Sequence, residues 1–173
     1  VNCLIKITAI VLIASGFVFS GCCISSFQHK KAMVFGEIVM LITFMQSRLR
    51  YECLPLAALL GETEKSGKFV NLRFISACID KTENGAPFSC AWRESIENDE
   101  ELCRLLRSSV SYLARLGEDL GTTDLEGQLS CLTYYENIFQ KELKEREEQN
   151  KKYSKLYPVL GTVLGIWAAI LII

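Results

Sequence analysis

Apolar residues recur at helical spacing along most of the central chain. Leu125, Leu129, Leu132, Tyr135, Phe139 and Leu143 follow one another at intervals of three and four, which places them on one face of one helix. Thr123 and Glu126 have the spacing of a capping box, and Asp124 falls where a first-turn dipole favours negative charge, so a helix is predicted to start here. Gly117 and Gly121, just upstream, suit the left-handed end of a preceding helix and a tight reversal. Beyond Leu143 the stripe stops. Glu142 with Arg146, Glu147 with Lys151 and Glu148 with Lys152 are acid-before-base pairs four apart, which support a helix that touches nothing else.

Shorter stripes upstream predict five further helices. Ile38, Leu41, Met45 and Leu49 form the first, which ends at Leu54-Pro55 where proline forces a break. Leu56, Leu59 and Leu60 make a short second helix closed by Gly61. Phe69, Leu72, Ile75 and Ile79 form the third, with a turn signal at Asn84-Gly85 behind it. Pro87 suits the first turn of a fourth helix, whose Phe88, Trp92 and Ile96 fall four apart. Asn98 and Glu101 cap a fifth, with Leu102, Leu105, Val110, Leu113 and Leu116 on its inner face. No run alternates with period two. The expected fold is all-α, a compact antiparallel bundle whose core the long last helix completes.

The two ends of the chain lack charge. Ile7 to Phe27 carry no ionised side chain over about 21 residues, and Leu156 to Ile173 carry none over about 18, roughly 27 Å of helix. The layout expected is a transmembrane helix at 5–27, a helical-bundle domain at 28–143, a charged helical stalk at 144–155 and a second transmembrane helix at 156–173. The last helix would then run continuously from bundle to bilayer. Gly161, Gly165 and Ala169 place small residues four apart on one face of the second span, and Gly16 with Ser20 does the same in the first. Such ridges suit close packing, between the two spans or with other membrane subunits.

Basic flanks set the orientation. Lys30, Lys31, Lys151, Lys152 and Lys155 all lie on the side of the central domain, and only Lys6 lies beyond the first span. The positive-inside rule places the domain in the cytoplasm and both termini outside. Val1 fits an alternative start codon, and the chain is expected to be complete at its N-terminus. A competing reading takes Phe19-Ser20-Gly21-Cys22 as an approach to a lipoprotein cleavage site, which would make the domain an extracytoplasmic sensor or lipoprotein. Phe19 in the place of an aliphatic residue, the lysines after the span, and apolar sequence past Cys22 weigh against it.

Chemistry is sparse. A formal net charge of -1 without a large basic patch argues against nucleic acid as a partner. The 8 cysteines (Cys3, Cys22, Cys23, Cys53, Cys78, Cys90, Cys103 and Cys131) include no C-x-x-C pair, and in a reducing cytoplasm they are expected to behave as small apolar residues. His29 is the only histidine and sits at a membrane boundary, so neither a Ser-His-Asp triad nor a multi-histidine zinc site can be assembled. The stretch from Gly61 to Lys68 looks like a phosphate loop, but it has one residue too many between its glycines, and Phe69 stands where Ser or Thr binds magnesium. It reads as a solvated connection. No catalytic, cofactor or metal residue is expected, and the chain reads as a non-enzyme; a membrane enzyme would need a polar cluster in a span or a cleft, and neither span holds an ionisable residue that could serve one beyond Lys6.

The order Leu113, Leu116-Gly117, Leu120-Gly121, Asp124, Gln128, Leu132, a lysine-rich stalk, Leu156-Tyr157, Leu160-Gly161 and Gly165 resembles the C-terminal half of the stage III sporulation protein AB family. Tyr51 with Pro55-Leu56, and Ala91-Trp92, are similar to that family as well, whereas Gly61 to Pro87 carries little of the pattern. The resemblance implies a role in endospore formation, in a protein similar to the inner-membrane platform protein of type II secretion systems. It implies membership of a mother-cell complex, with the cytoplasmic ATPase of that complex (stage III sporulation protein AA) and other membrane and ring-forming subunits as partners, and it allows a homo-oligomer. The positions that carry it, Gly117, Gly121, Asp124 and Gln128, together with Glu118 and Asp119 as candidates expected to be exposed, make up the candidate partner-contact or structural motif.

Overall fold

Two long helices carry the chain, and five short ones lie between them in sequence. The structure, a computed structural model, describes the backbone of residues 2–52, 55–120 and 122–170, and the side chains of residues 26–52, 55, 56, 58–120 and 122–152. The helices are α1 (Asn2–Glu52), α2 (Leu56–Ser66), α3 (Phe74–Glu83), α4 (Phe88–Glu97), α5 (Glu100–Leu106), α6 (Val110–Asp119) and α7 (Leu125–Ile170), with a 3₁₀ turn at Arg107–Ser109. The described residues contain no strand, so the fold is all-α.

The chain divides into two compact units. One is Lys31–Lys144; the other joins Val1–Lys30 with Glu145–Ile173. In the second unit the backbone is helical through residues 2–30 and 145–170. The side chains of the expected spans, including Gly161, Gly165 and Ala169, lie outside the described residues, apart from those of Ser26 and Phe27. Among the described residues, Ser26–Glu52 of α1 is long and apolar enough to cross a membrane by length and composition. Part of that stretch is bundle core.

In the Lys31–Lys144 unit, Val34, Phe35, Ile38, Leu41, Ile42 and Met45 of α1 are wholly buried. Each large apolar side chain removed from water in this way contributes roughly 1.5–3 kcal/mol. α7 answers with Leu132, Tyr135 and Phe139, also buried. The two helices run antiparallel here: the Phe35 ring lies 6.1 Å from that of Phe139, while Thr43, further along α1, meets Glu136, earlier along α7. Thr43 Oγ1 donates to Glu136 Oε1 at 3.1 Å and Gln46 Nε2 donates to Glu136 Oε2 at 3.0 Å, so polar groups border the apolar seam. The stripe predicted on α7 is buried only in its middle, with Leu125 at its start 39% exposed.

Several predicted boundaries move. α2 does not close at Gly61 but runs to Ser66 and stops at Gly67, whose φ of 63° is left-handed and whose N–H bonds the Glu64 carbonyl at 3.1 Å. Glycine adopts that conformation without steric cost, and this is what ends the helix. The stretch from Gly61 read as a solvated connection is therefore mostly helix. α3 begins at Phe74; Phe69 and Leu72 are buried from the preceding connection, and their helical spacing is coincidental. Pro87 is the N-cap of α4 at φ −57°, ψ 140°, and not part of its first turn. Asp99, not Asn98 with Glu101, caps α5, its side chain accepting the Leu102 N–H at 2.9 Å.

The predicted fifth helix is two helices. Arg107 has φ 52°, which breaks α5 from the 3₁₀ turn and α6. A non-glycine residue held there costs about 1–3 kcal/mol. Burial on both sides of the break offsets it, with Leu102, Leu105 and Leu106 before it and Leu113, Leu116 and Leu120 after it.

Candidate functional site

The motif beginning at Gly117 is built around an indole. Trp92 of α4 is fully buried, and its Nε1–H donates to the Leu113 carbonyl of α6 at 2.8 Å. Phe74 meets it edge-on at 5.0 Å, and the Phe88 ring lies 5.5 Å away. Gly117, one turn beyond Leu113, lies under the same ring: a Cβ there would overlap Trp92 Cγ and Cδ1 and stand 2.7 Å from Nε1. Gly117 is thus an interior residue of α6 with no positive φ, and not the left-handed helix end expected from its position. The helix ends instead at Leu120, which turns to extended backbone while its N–H still reaches Leu116. The missing side chain is what lets α4 and α6 approach.

The remaining residues of the motif bond within the chain. Glu118 forms an ion pair with Arg93, joining α6 to α4. Asp119 Oδ2 accepts the Tyr135 hydroxyl at 2.7 Å, joining α6 to α7. Burial and then the Asp119 carboxylate push the Tyr135 phenol above its ordinary value. The same two causes push the Cys131 thiol up to about 11. Asp124 Oδ1 accepts the Gly127 N–H at 3.0 Å, so the N-cap of α7 is Asp124 and not Thr123. The capping box shifts because a Cβ at position 127 would fall 2.7 Å from Thr123 Cβ and Oγ1, and glycine in the third helical position permits the Asp124 contact. Gln128 Nε2 returns to the Thr123 carbonyl at 3.1 Å. Gly121 lies outside the described residues.

This arrangement can hold helices in register. Among the described residues of the motif, Glu118 and Asp119 are occupied by side chains of α4 and α7, and Asp124 and Gln128 by backbone groups at the start of α7. Among the described residues no group of three His, Cys, Asp or Glu side chains is placed to hold a metal. Cys78 is buried, and that burial raises its thiol to about 11, which disfavours the nucleophilic thiolate. Sequence reasoning placed Trp92 in a stripe and missed that it sits on Gly117. An interior helical glycine between Leu116 and Glu118 was the available signal. It missed also the surface beside Gly67, where Val70 is 75% exposed.

A bundle entered by one long helix and left by another defines an all-helical scaffold class, with a turn between α6 and α7 fastened by its own side chains. Residues 6–173 match the family model described as Stage III sporulation protein AB, essentially the whole length, and the chain belongs to that family. Membership gives it a role in sporulation, and the match extends through residues 61–87, where the sequence pattern alone was weak. No curated protein and no solved structure matches.

Proposed function

We propose that the chain is a non-enzymatic membrane platform subunit of a sporulation channel or secretion-like complex. In this reading its bundle faces the cytoplasm, docks the cytoplasmic ATPase of the complex (stage III sporulation protein AA) and couples it to the membrane and ring-forming subunits. The observation that carries the proposal is the continuity of α1 and α7. α1 spans Asn2–Glu52 and holds both an uncharged N-terminal run and the core residues Phe35 and Ile38; α7 spans Leu125–Ile170 and holds Leu132, Phe139 and an uncharged C-terminal run. A helix advances 1.5 Å per residue with every backbone bond internal, so a displacement of the bundle would be carried along both elements. The lysines flanking the uncharged runs on the domain side support the cytoplasmic orientation.

A Gly-Pro insertion after Gln149 tests the coupling. It is expected to abolish sporulation while the bundle keeps its helical content and its unfolding midpoint. Sporulation at the parental level would refute mechanical coupling through α7.

A further inference from the structure

The seam between α1 and α7 repeats from turn to turn. Phe35, Ile38, Ile42, Met45 and Leu49 recur along α1 at intervals of three and four, and all are buried. On α7, Leu132, Tyr135 and Phe139 keep a similar spacing, and the half-buried Leu129 and Leu143 prolong the stripe at either end. Sliding one such helix along the other by a turn, about 5.4 Å, again sets apolar against apolar. Burial therefore chooses the facing sides of the two helices more sharply than their level.

The level is read by polar groups at the border of the seam. Glu136 of α7, half-buried, accepts from Gln46 Nε2 at 3.0 Å through Oε2, and its Oε1 takes Gln140 Nε2 at 2.9 Å and Thr43 Oγ1 at 3.1 Å. Its hold on Thr43 is shared, because that hydroxyl has one hydrogen and also lies 2.9 Å from the Val39 carbonyl. Thr43 and Gln46 are thus a seat made of a hydroxyl and, three residues on, a long nitrogen donor. The same pair recurs one turn later as Ser47 and Arg50. Arg50 is exposed and forms no ion pair with a described residue. One turn in the other direction stand Val39 and Ile42, whose side chains offer no donor.

We propose that the bundle is a two-position ratchet, in which α7 steps one turn along α1 and Glu136 passes from Thr43 and Gln46 to Ser47 and Arg50. The step exchanges neutral donors for a charge-assisted bond to a guanidinium, which is the stronger kind. It also brings Leu143 to the level that Phe139 now holds, under cover of α1. Against it stands the bond of Tyr135 to Asp119 at 2.7 Å, which ties α7 to α6 and must open. Packed helices that shift by a whole turn move between discrete arrangements and do not deform continuously. Such a step would supply the travel for the coupling proposed above. Its use there rests on that reading, but its existence does not depend on which way the bundle faces.

Nitroxide labels on ketone amino acids at Met33 and Ser130, both exposed, leave the native thiols untouched. Double electron–electron resonance on the purified full-length chain in detergent then reads the level directly, since the step lengthens this separation by about 5 Å. Thr43→Val with Gln46→Leu empties the first seat and should move most of the population to the longer distance at unchanged helical content. Adding Arg50→Ala to that pair should reduce the longer component at least threefold. In the otherwise unaltered chain, Asp119→Ala releases Tyr135 and should raise the longer component at least threefold; this variant decides alone if the emptied seat unfolds the bundle. An unshifted distance in either folded variant would overturn the ratchet, and so would a longer component that persists undiminished without Arg50.

Discussion

The two connections at α6–α7 and α2–α3 treat their polar and apolar groups in opposite ways. In the first, Glu118, Asp119, Asp124 and Gln128 all bond to other parts of the chain, and the Gly117 backbone is sealed under Trp92. In the second, the backbone is fastened by Gly67 and by Glu37 on Asn71, yet Val70, Lys68 and Arg73 are exposed. Both connections are hydrogen-bonded to the rest of the chain, but they differ in how much apolar side chain they expose. The stretch that most resembles the family in sequence is thus the better explained by structure alone, and the stretch that resembles it least offers the more open surface.

Removal of the indole should produce the largest effect. Trp92→Ala is expected to cost about 3–5 kcal/mol in denaturant unfolding. Gly117→Ala should cost about 1–3 kcal/mol through displacement of the ring, despite alanine's better helix propensity. The two changes together should be less than additive, because the alanine methyl occupies space the indole has vacated. Additivity in that cycle would break the link between Gly117 and Trp92.

The next effect is a loss of stability in alkali. Cys131 and Tyr135 have folded pKa values raised above their ordinary ones, so their contributions are fully present below pH 9 and 10 respectively. They are lost as pH rises, through about 11 for Cys131 and higher still for Tyr135. Partial exposure of Cys131 limits its share to about 1–2 kcal/mol. Thermal melting from pH 8 to 11 should show this fall, and Asp119→Asn should make it shallower by removing the carboxylate that raises both groups.

Asp124→Ala should cost about 1 kcal/mol by removing the N-cap of α7. On the other connection, Val70→Ser and Arg73→Glu should each change stability by no more than about 0.5 kcal/mol. A loss larger than that would mean the α2–α3 surface is structural as well, and the contrast between the two connections would fail.

Much of this fold was legible in the stripes. Ile38, Leu41, Met45 and Leu49, then Trp92 with Ile96, then Leu132, Tyr135 and Phe139 were predicted as inner faces and are buried. Boundaries were less legible because one residue type serves opposite ends. Gly61 continues a helix and Gly67 stops one, and only the backbone angle tells them apart. The break at Arg107 leaves no compositional signal, since arginine is a good helix former that tertiary packing here forces to positive φ. Phe69 and Leu72 mimicked a helical stripe because a connection that anchors itself in a core also needs apolar residues. The role of Gly117 was out of reach of periodicity, because its partner belongs to another helix.

The proposed cytoplasmic placement of the bundle is open to test at Cys90 on α4, whose thiol is free and exposed. A membrane-impermeant maleimide should leave Cys90 unlabelled in intact cells and label it in inverted membrane vesicles, with the site confirmed by peptide mapping. Labelling of Cys90 in intact cells would contradict the cytoplasmic platform and leave an extracytoplasmic sensor or lipoprotein in its place.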